Sequence, residues 1–310
     1  MSKKRNFVLF GLVSAVLGSG AAAASYLYDL SVVPKQKTQE DIDKNPMDAE
    51  SVKWLKSLDS DKKEDVFVES IDELRLHATF VKADTDSHQY AICIHGVKSD
   101  GEFMGYYAKH YHEKGINVLL PDLRGFGKSE GNYIGYGYYD RLDILEWIYW
   151  IIRHDDKAKI LLHGTSMGAA TTLLTTGEHL PEQVIMAIAD SSYTTLCEEF
   201  GDVYKKLKGG IIPLSVALFL IRVMVQLKCG YDIRKVDVLE AVSKSKTPTL
   251  FIHGDEDKVI DPQMCARLYE KCASPKQYCL ILGADHVQGA YIDPEKYWKK
   301  VHSLMEKTDF

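Results

Sequence analysis

Gly164-Thr165-Ser166-Met167-Gly168 reads G-x-S-x-G, between an apolar run ending at Leu162 and a helical pattern that opens at Ala169-Ala170. A serine on so sharp a strand-to-helix turn holds its hydroxyl exposed beside a helix N-terminus, whose amides favour developing negative charge. Glycines two positions to either side are needed because a Cβ there would clash. This is the setting of a nucleophile, and a nucleophilic serine needs a base and an acid that orients the base. The chain order expected of such an elbow is serine, acid, histidine. His286, in the loop Gly283-Ala284-Asp285-His286 after the last apolar run, is the expected base; His302 lies within a terminal helical pattern and reads as a solvent or packing residue. For the acid, His253-Gly254-Asp255-Glu256-Asp257 points to Asp257, with Asp255 and Asp261 read as caps of turns or of the helix starting at Pro262.

The elements that must position these residues follow from periodicity. Eight strand-like runs are expected, at Asp65 to Val68, Leu74 to Val81, Tyr90 to Ile94, Asn117 to Leu120, Lys159 to Leu162, Val184 to Ala189, Thr249 to Ile252 and Gln277 to Leu282. The first two alternate like a hairpin, and the later ones are nearly continuous apolar runs separated by helical patterns, as in a parallel sheet covered on both faces. Helices are predicted at Glu102 to Glu113, Tyr138 to Arg153, Met167 to His179, Pro262 to Cys272 and Gly289 to Met305. The class is α/β. Ile94-His95-Gly96, Leu162-His163-Gly164 and Ile252-His253-Gly254 end three runs alike, and the carboxyl ends of parallel strands converge on one crevice. The interval from about residue 193 to 245 carries no strand and reads as a lid, within which Pro213 and Gly230 bracket a helix.

These motifs give the chain a resemblance to the α/β-hydrolase superfamily over roughly Val66 to the C-terminus, and most closely to bacterial membrane-anchored serine hydrolases of the serine aminopeptidase-like and acylaminoacyl-peptidase-like kind. The residues that carry it are His95-Gly96, Pro121-Asp122-Leu123-Arg124-Gly125-Phe126-Gly127-Lys128-Ser129, the Ser166 elbow, His253-Gly254-Asp255-Glu256-Asp257 and His286. The resemblance implies the α/β-hydrolase fold, an eight-stranded mostly parallel sheet with helices on both faces and a short helical lid. It agrees with Asp257 as the acid, three residues after the glycine, and implies that the backbone N–H groups of Val97 and Met167 form an oxyanion hole. The expected reaction is acyl transfer to water: Ser166 attacks, His286 moves the proton, Asp257 fixes the imidazole tautomer. Ester cleavage is the first expectation and peptidase or acyltransferase chemistry the alternative, on a small-molecule or lipid-like acyl substrate. A catalytically silent binding module on the same scaffold is the alternative from another class.

Other patterns point elsewhere and fall short. Gly127-Lys128-Ser129 resembles the end of a P-loop, but Asp122 stands where its first glycine belongs; Gly125-Phe126-Gly127 opens a dinucleotide fingerprint, but Glu130 replaces its third glycine. Asp122 and Arg124 are read as holding a turn. Tyr133, Tyr136, Tyr138 and Tyr139 form an aromatic loop, either lining the crevice or lying on the surface. His and Cys residues show no zinc spacing, so neither metal nor cofactor is expected, and the six cysteines are expected to be mostly free thiols. A net charge of −6 over 310 residues argues against a nucleic-acid partner. Composition says nothing of oligomeric state.

Lys3, Lys4 and Arg5 precede a run from Asn6 to Tyr28 without charge. Phe7 to Tyr28 would reach roughly 33 Å as a helix, enough to cross a bilayer. Residues 1–30 are thus expected to be an anchor with the remainder on the extracytoplasmic side, or a signal peptide cleaved after Ala21 to Ala24, which would leave a secreted protein. Residues 31–62 read as a stalk and a short helix, and 63–310 as the hydrolase domain.

Overall fold

The structure, a computed structural model, describes residues 22, 24–206 and 212–310. Most of the apolar N-terminal run, and Gly209-Gly210, lie outside them. The eight strands are β1 (Lys63–Glu69), β2 (Arg75–Val81), β3 (Gln89–Ile94), β4 (Asn117–Pro121), β5 (Lys159–Thr165), β6 (Val184–Asp190), β7 (Thr249–Gly254) and β8 (Lys276–Ile281). They form one sheet in the order β1-β2-β4-β3-β5-β6-β7-β8, in which β2 pairs antiparallel with β1 and β4 and every other pair is parallel. The edge strand β1 buries Val66 alone, whereas β4 and β7 are buried along their whole length. Strands with helices on both sides have no polar face, and the sequence of β3 to β7 is correspondingly apolar.

The helices are α1 (Gln39–Lys44), α2 (Pro46–Ser57), α3 (Gly105–His112), α4 (Asp140–His154), α5 (Met167–Thr176), α6 (Leu196–Lys206), α7 (Leu214–Cys229), α8 (Val238–Lys244), α9 (Pro262–Lys271), α10 (Gly289–Ile292) and α11 (Pro294–Lys307). One core, with Ile144, Trp147, Leu173, Val242 and Leu268, fills the sheet face under α4, α5, α8 and α9. The other, with Trp54, Tyr107, Tyr111, Trp298 and Val301, lies under α2, α3 and α11. The single helix expected over Gly289 to Met305 is broken: Asp293 leaves the helical region, at φ −135° and ψ 71°, before Pro294 opens α11. A residue preceding proline is driven out of the helical region, and Asp293 uses the break to cap α11 through Lys296 N.

Two parts of the chain differ from their reading in the sequence. The segment read as a stalk is laid on the domain: Val32 is fully buried, its carbonyl accepts from Ile134 N at 2.8 Å, and Pro34 lies against Gly125. The tyrosine loop neither lines the crevice nor lies free on the surface. Tyr136 is buried and bonds the Ser31 carbonyl, Tyr138 stacks on Tyr231 at 4.7 Å, and Tyr193 donates to the Tyr136 carbonyl. The loop is the joint between the N-terminal segment, the lid and the sheet. All six cysteines are free thiols.

Candidate active site

The strand order explains where the site lies. From β3 the chain crosses to β4 on one side, and from β5 to β6 on the other, so a crevice opens beyond the carboxyl ends of the adjacent strands β3 and β5. Gly96-Val97 leave β3 at this point and Ser166 leaves β5. Ser166 has φ 55° and ψ −121°, a conformation no ordinary residue holds without cost, about 1–3 kcal/mol. Its amide donates to the Asp190 carbonyl at 2.8 Å. The glycines of the elbow are sterically obligatory: a Cβ on Gly164 would stand 2.1 Å from the Gly168 carbonyl oxygen, and one on Gly168 2.1 Å from that of Ile94. A Cβ on Gly96 would come within 3.1 Å of the Ser166 Cβ, a tight contact that the glycine relieves.

Ser166 Oγ is 2.9 Å from His286 Nε2, and His286 Nδ1 is 2.7 Å from Asp257 Oδ2. The other carboxylate oxygen of Asp257 accepts from the amides of Val259 and Ile260 at 2.8 and 2.9 Å. His253 Nε2 lies 3.0 Å from Oδ2. Burial opposes the charge on Asp257, but hydrogen bonds from His253 and His286 outweigh it and hold the carboxyl well below the usual carboxylate range. Asp255 and Asp261 do other work. Asp255 accepts from Gly283 N at 2.6 Å, bracing the loop that carries His286, and Asp261 caps α9 through Gln263 N. His302 is remote, its Nε2 3.0 Å from His110 Nε2.

Met167 is the first residue of α5, so its amide has no intrahelical acceptor. Val97 and Ser166 line one cavity of about 190 Å³, together with Met47, Phe103, Met104, Tyr107 and Val287. Lys37, Asn45 and Asp48 line it as well, whereas among the described residues none of its lining comes from the segment 193–245. Lys37 is ion-paired with Asp48 and sits 4.3 Å over the Phe103 ring. Among the described residues, the supposed stalk rather than the lid thus borders the space beside the serine.

Each of the three matched His-Gly strand ends has its own task. His95 Nδ1 donates to the Gly96 carbonyl at 2.8 Å and Nε2 accepts from Leu123 N at 2.9 Å, which fixes the turn bearing Val97; burial pushes this imidazole down to about 4. His163 lies between the hydroxyls of Tyr111 and Tyr297, and Tyr297 donates on to Asp190, whose carbonyl holds the Ser166 amide. His253 reaches Asp257. Asp122 and Arg124 do hold the turn after β4: Asp122 accepts from Gly101 N and Lys128 N, and the fully buried Arg124 pairs with Asp143 and Asp72.

Strand order, elbow and crevice define an α/β-hydrolase, and the comparisons agree. A family described as serine aminopeptidase matches residues 85–228, and one described as serine hydrolase matches residues 205–287. The chain has the α/β-hydrolase fold and is a hydrolase of that type. It is similar to the uncharacterized protein YqkD of Bacillus subtilis, 27% identical over 99% of this chain and 98% of that one. Among solved structures it resembles an esterase of Pyrococcus furiosus, with TM-score 0.66 and 22% identity over 90% of this chain and 98% of the other. It also resembles the acylaminoacyl peptidase of Pyrococcus horikoshii, with TM-score 0.56 and 17% identity over 82% of this chain and 43% of that one.

Proposed function

We propose that this hydrolase cleaves carboxylic esters of short acyl chains through an acyl-enzyme on Ser166. The observation that carries the reading is the unbroken series Ser166 Oγ, His286, Asp257, at 2.9 and 2.7 Å, on a serine already strained at the mouth of a cavity. Ser166 Oγ attacks the acyl carbon as His286 Nε2 takes its proton; the developing oxyanion is held by the Val97 and Met167 amides; the proton passes to the leaving alcohol. Water then repeats the sequence to release the acid. Asp257, ionised, keeps the proton of the neutral imidazole on Nδ1 and stabilises the imidazolium as it forms. The cavity beside the serine is small and walled by Met47, Phe103, Met104 and Val287, which suits a short apolar acyl group.

A panel of p-nitrophenyl esters of rising acyl length, beside aminoacyl anilides, tests the reading. Short esters should turn over fastest, and preference for the anilides would make the enzyme a peptidase instead. A fluorophosphonate should label the protein and fail to label Ser166→Ala; labelling that survives the substitution would overturn the nucleophile.

A further inference from the structure

Helix α7 carries two apolar faces. Ala217, Ile221, Val225 and Cys229, at intervals of four, are buried against the domain. On the other side Val216, Phe219, Val223 and Leu227 stand exposed, Phe219 by 58% and Leu227 by 77%. Their spacings of three and four place them on one continuous stripe. A single exposed leucine is ordinary, but a stripe of four bulky apolar side chains along a helix marks a surface that meets something.

The chain itself indicates what it meets. The helix over residues 24–31 lies directly against α7: the Tyr28 hydroxyl is 3.4 Å from Cys229 Sγ, and the Lys228 ammonium sits 4.3 Å over the Tyr28 ring. Ala24, Leu27 and Tyr28 are buried there, so this end of the uncharged run belongs to the folded domain. What remains of the run, residues 7–23, reaches only about 25 Å as a helix, against a hydrocarbon core of about 30 Å. With Val32 also buried, no spacer separates the run from the hydrolase, and a lipid-inserted segment would deliver α7 to the bilayer surface. We propose that the outer face of α7 rests on a lipid bilayer, immersed to the depth of its apolar side chains beside the point where the N-terminal run enters. An amphipathic helix in that position buries its apolar side about 5–10 Å into the boundary between headgroups and chains.

Lipid contact at α7 is tested with the full chain in vesicles of phosphatidylcholine and phosphatidylglycerol. A polarity-sensitive fluorophore is attached in turn to Phe219→Cys, Leu227→Cys and Glu306→Cys, the last on α11 across the sheet. Lipids brominated along the acyl chains should quench the labels at 219 and 227 several-fold more than the label at 306. Equal quenching at the three positions, or failure of the full chain to associate with vesicles, overturns the proposal. So does self-quenching between labels at 219 that grows with protein density, which would place a second copy on this face. Two independent positions on the stripe, each checked by its thermal transition, guard against one variant misfolding. Ester turnover by the same samples reports on Ser166 separately, so its loss with quenching retained would count against the proposed chemistry and leave the membrane contact standing.

Discussion

Asp257 is the residue on which most hydrogen bonds of the site converge, and it is where substitution should be most informative. Two backbone amides and the His286 imidazole reach its carboxylate, and His253 Nε2 stands 3.0 Å from it while also lying 3.2 Å from the Ile260 carbonyl oxygen. Asp257→Asn keeps the shape but offers an amide where His286 Nδ1 needs an acceptor; turnover should fall by up to about 10⁴, as in a serine protease that loses its triad acid. Asp255→Asn, which touches only Gly283 N, should be mild, and the opposite ranking would reassign the acid. His253→Leu leaves a buried carboxylate oxygen short of a donor, worth about 1–3 kcal/mol, and should cost roughly tenfold to a hundredfold in kcat with KM little changed. His253→Gln, which can present a nitrogen at the same distance, should recover much of that loss; if both variants behave alike, His253 is only filling space. The sequence made Ser166, His286 and Asp257, which the structure brings within 2.9 and 2.7 Å of one another, readable because each sits in a short motif with a fixed place in the chain. It could not assign tasks to His95, His163 and His253, whose local triplets are nearly the same, because those tasks are set by Leu123, Tyr297 and Asp257 arriving from other elements.

At the scale of elements, the elbow is a contact between α5 and the strands that leaves no space for a methyl group. Gly168→Ala would drive a Cβ into the Ile94 carbonyl, which is backbone and cannot swing away, so loss of soluble folded protein is expected rather than a partial loss of activity. The lid helix α6 carries the opposite kind of feature. Glu199 is buried, one of its carboxyl oxygens has no partner among the described residues, and burial pushes the carboxyl from 4.5 up to about 7. The folded state therefore binds a proton between these pH values that the unfolded chain does not, and stability falls as pH rises through that window. Glu199→Gln should remove this loss, stabilising the protein at pH 8 by up to roughly 3 kcal/mol while changing little at pH 4. Equal melting temperatures of the two proteins at pH 8 would show that the carboxyl finds a partner in solution. The first two strands were legible from their alternation and the later ones because apolar runs of this length between helical periods have few other uses. The helix break at Asp293 was less visible, since the apolar period continues across Pro294 and only the backbone restriction interrupts it.

At the scale of the whole molecule, residues 24–48 are tied to the domain that carries the Ser166 crevice, which their composition conceals. Residues 33–46 are polar and bracketed by prolines, and contacts as sparse as Pro34 on Gly125 and Lys37 on Asp48 and Phe103 leave no periodic trace. Met47 nevertheless forms part of the wall beside Ser166, so the chain that leads away from the proposed membrane contact also limits what the serine can accept. If the acyl group occupies this cavity, shortening the wall should lengthen the acyl chain that fits. Met47→Ala, and independently Phe103→Ala, should raise kcat/KM for hexanoyl and octanoyl esters relative to acetyl by roughly tenfold, the scale on which one or two methylenes are discriminated in an apolar pocket. The ratio is the quantity to follow, because a general loss of stability lowers both rates together and leaves it unchanged. An unaltered ratio in both variants would mean that the acyl chain leaves Ser166 in another direction, and that the N-terminal segment faces the leaving alcohol instead.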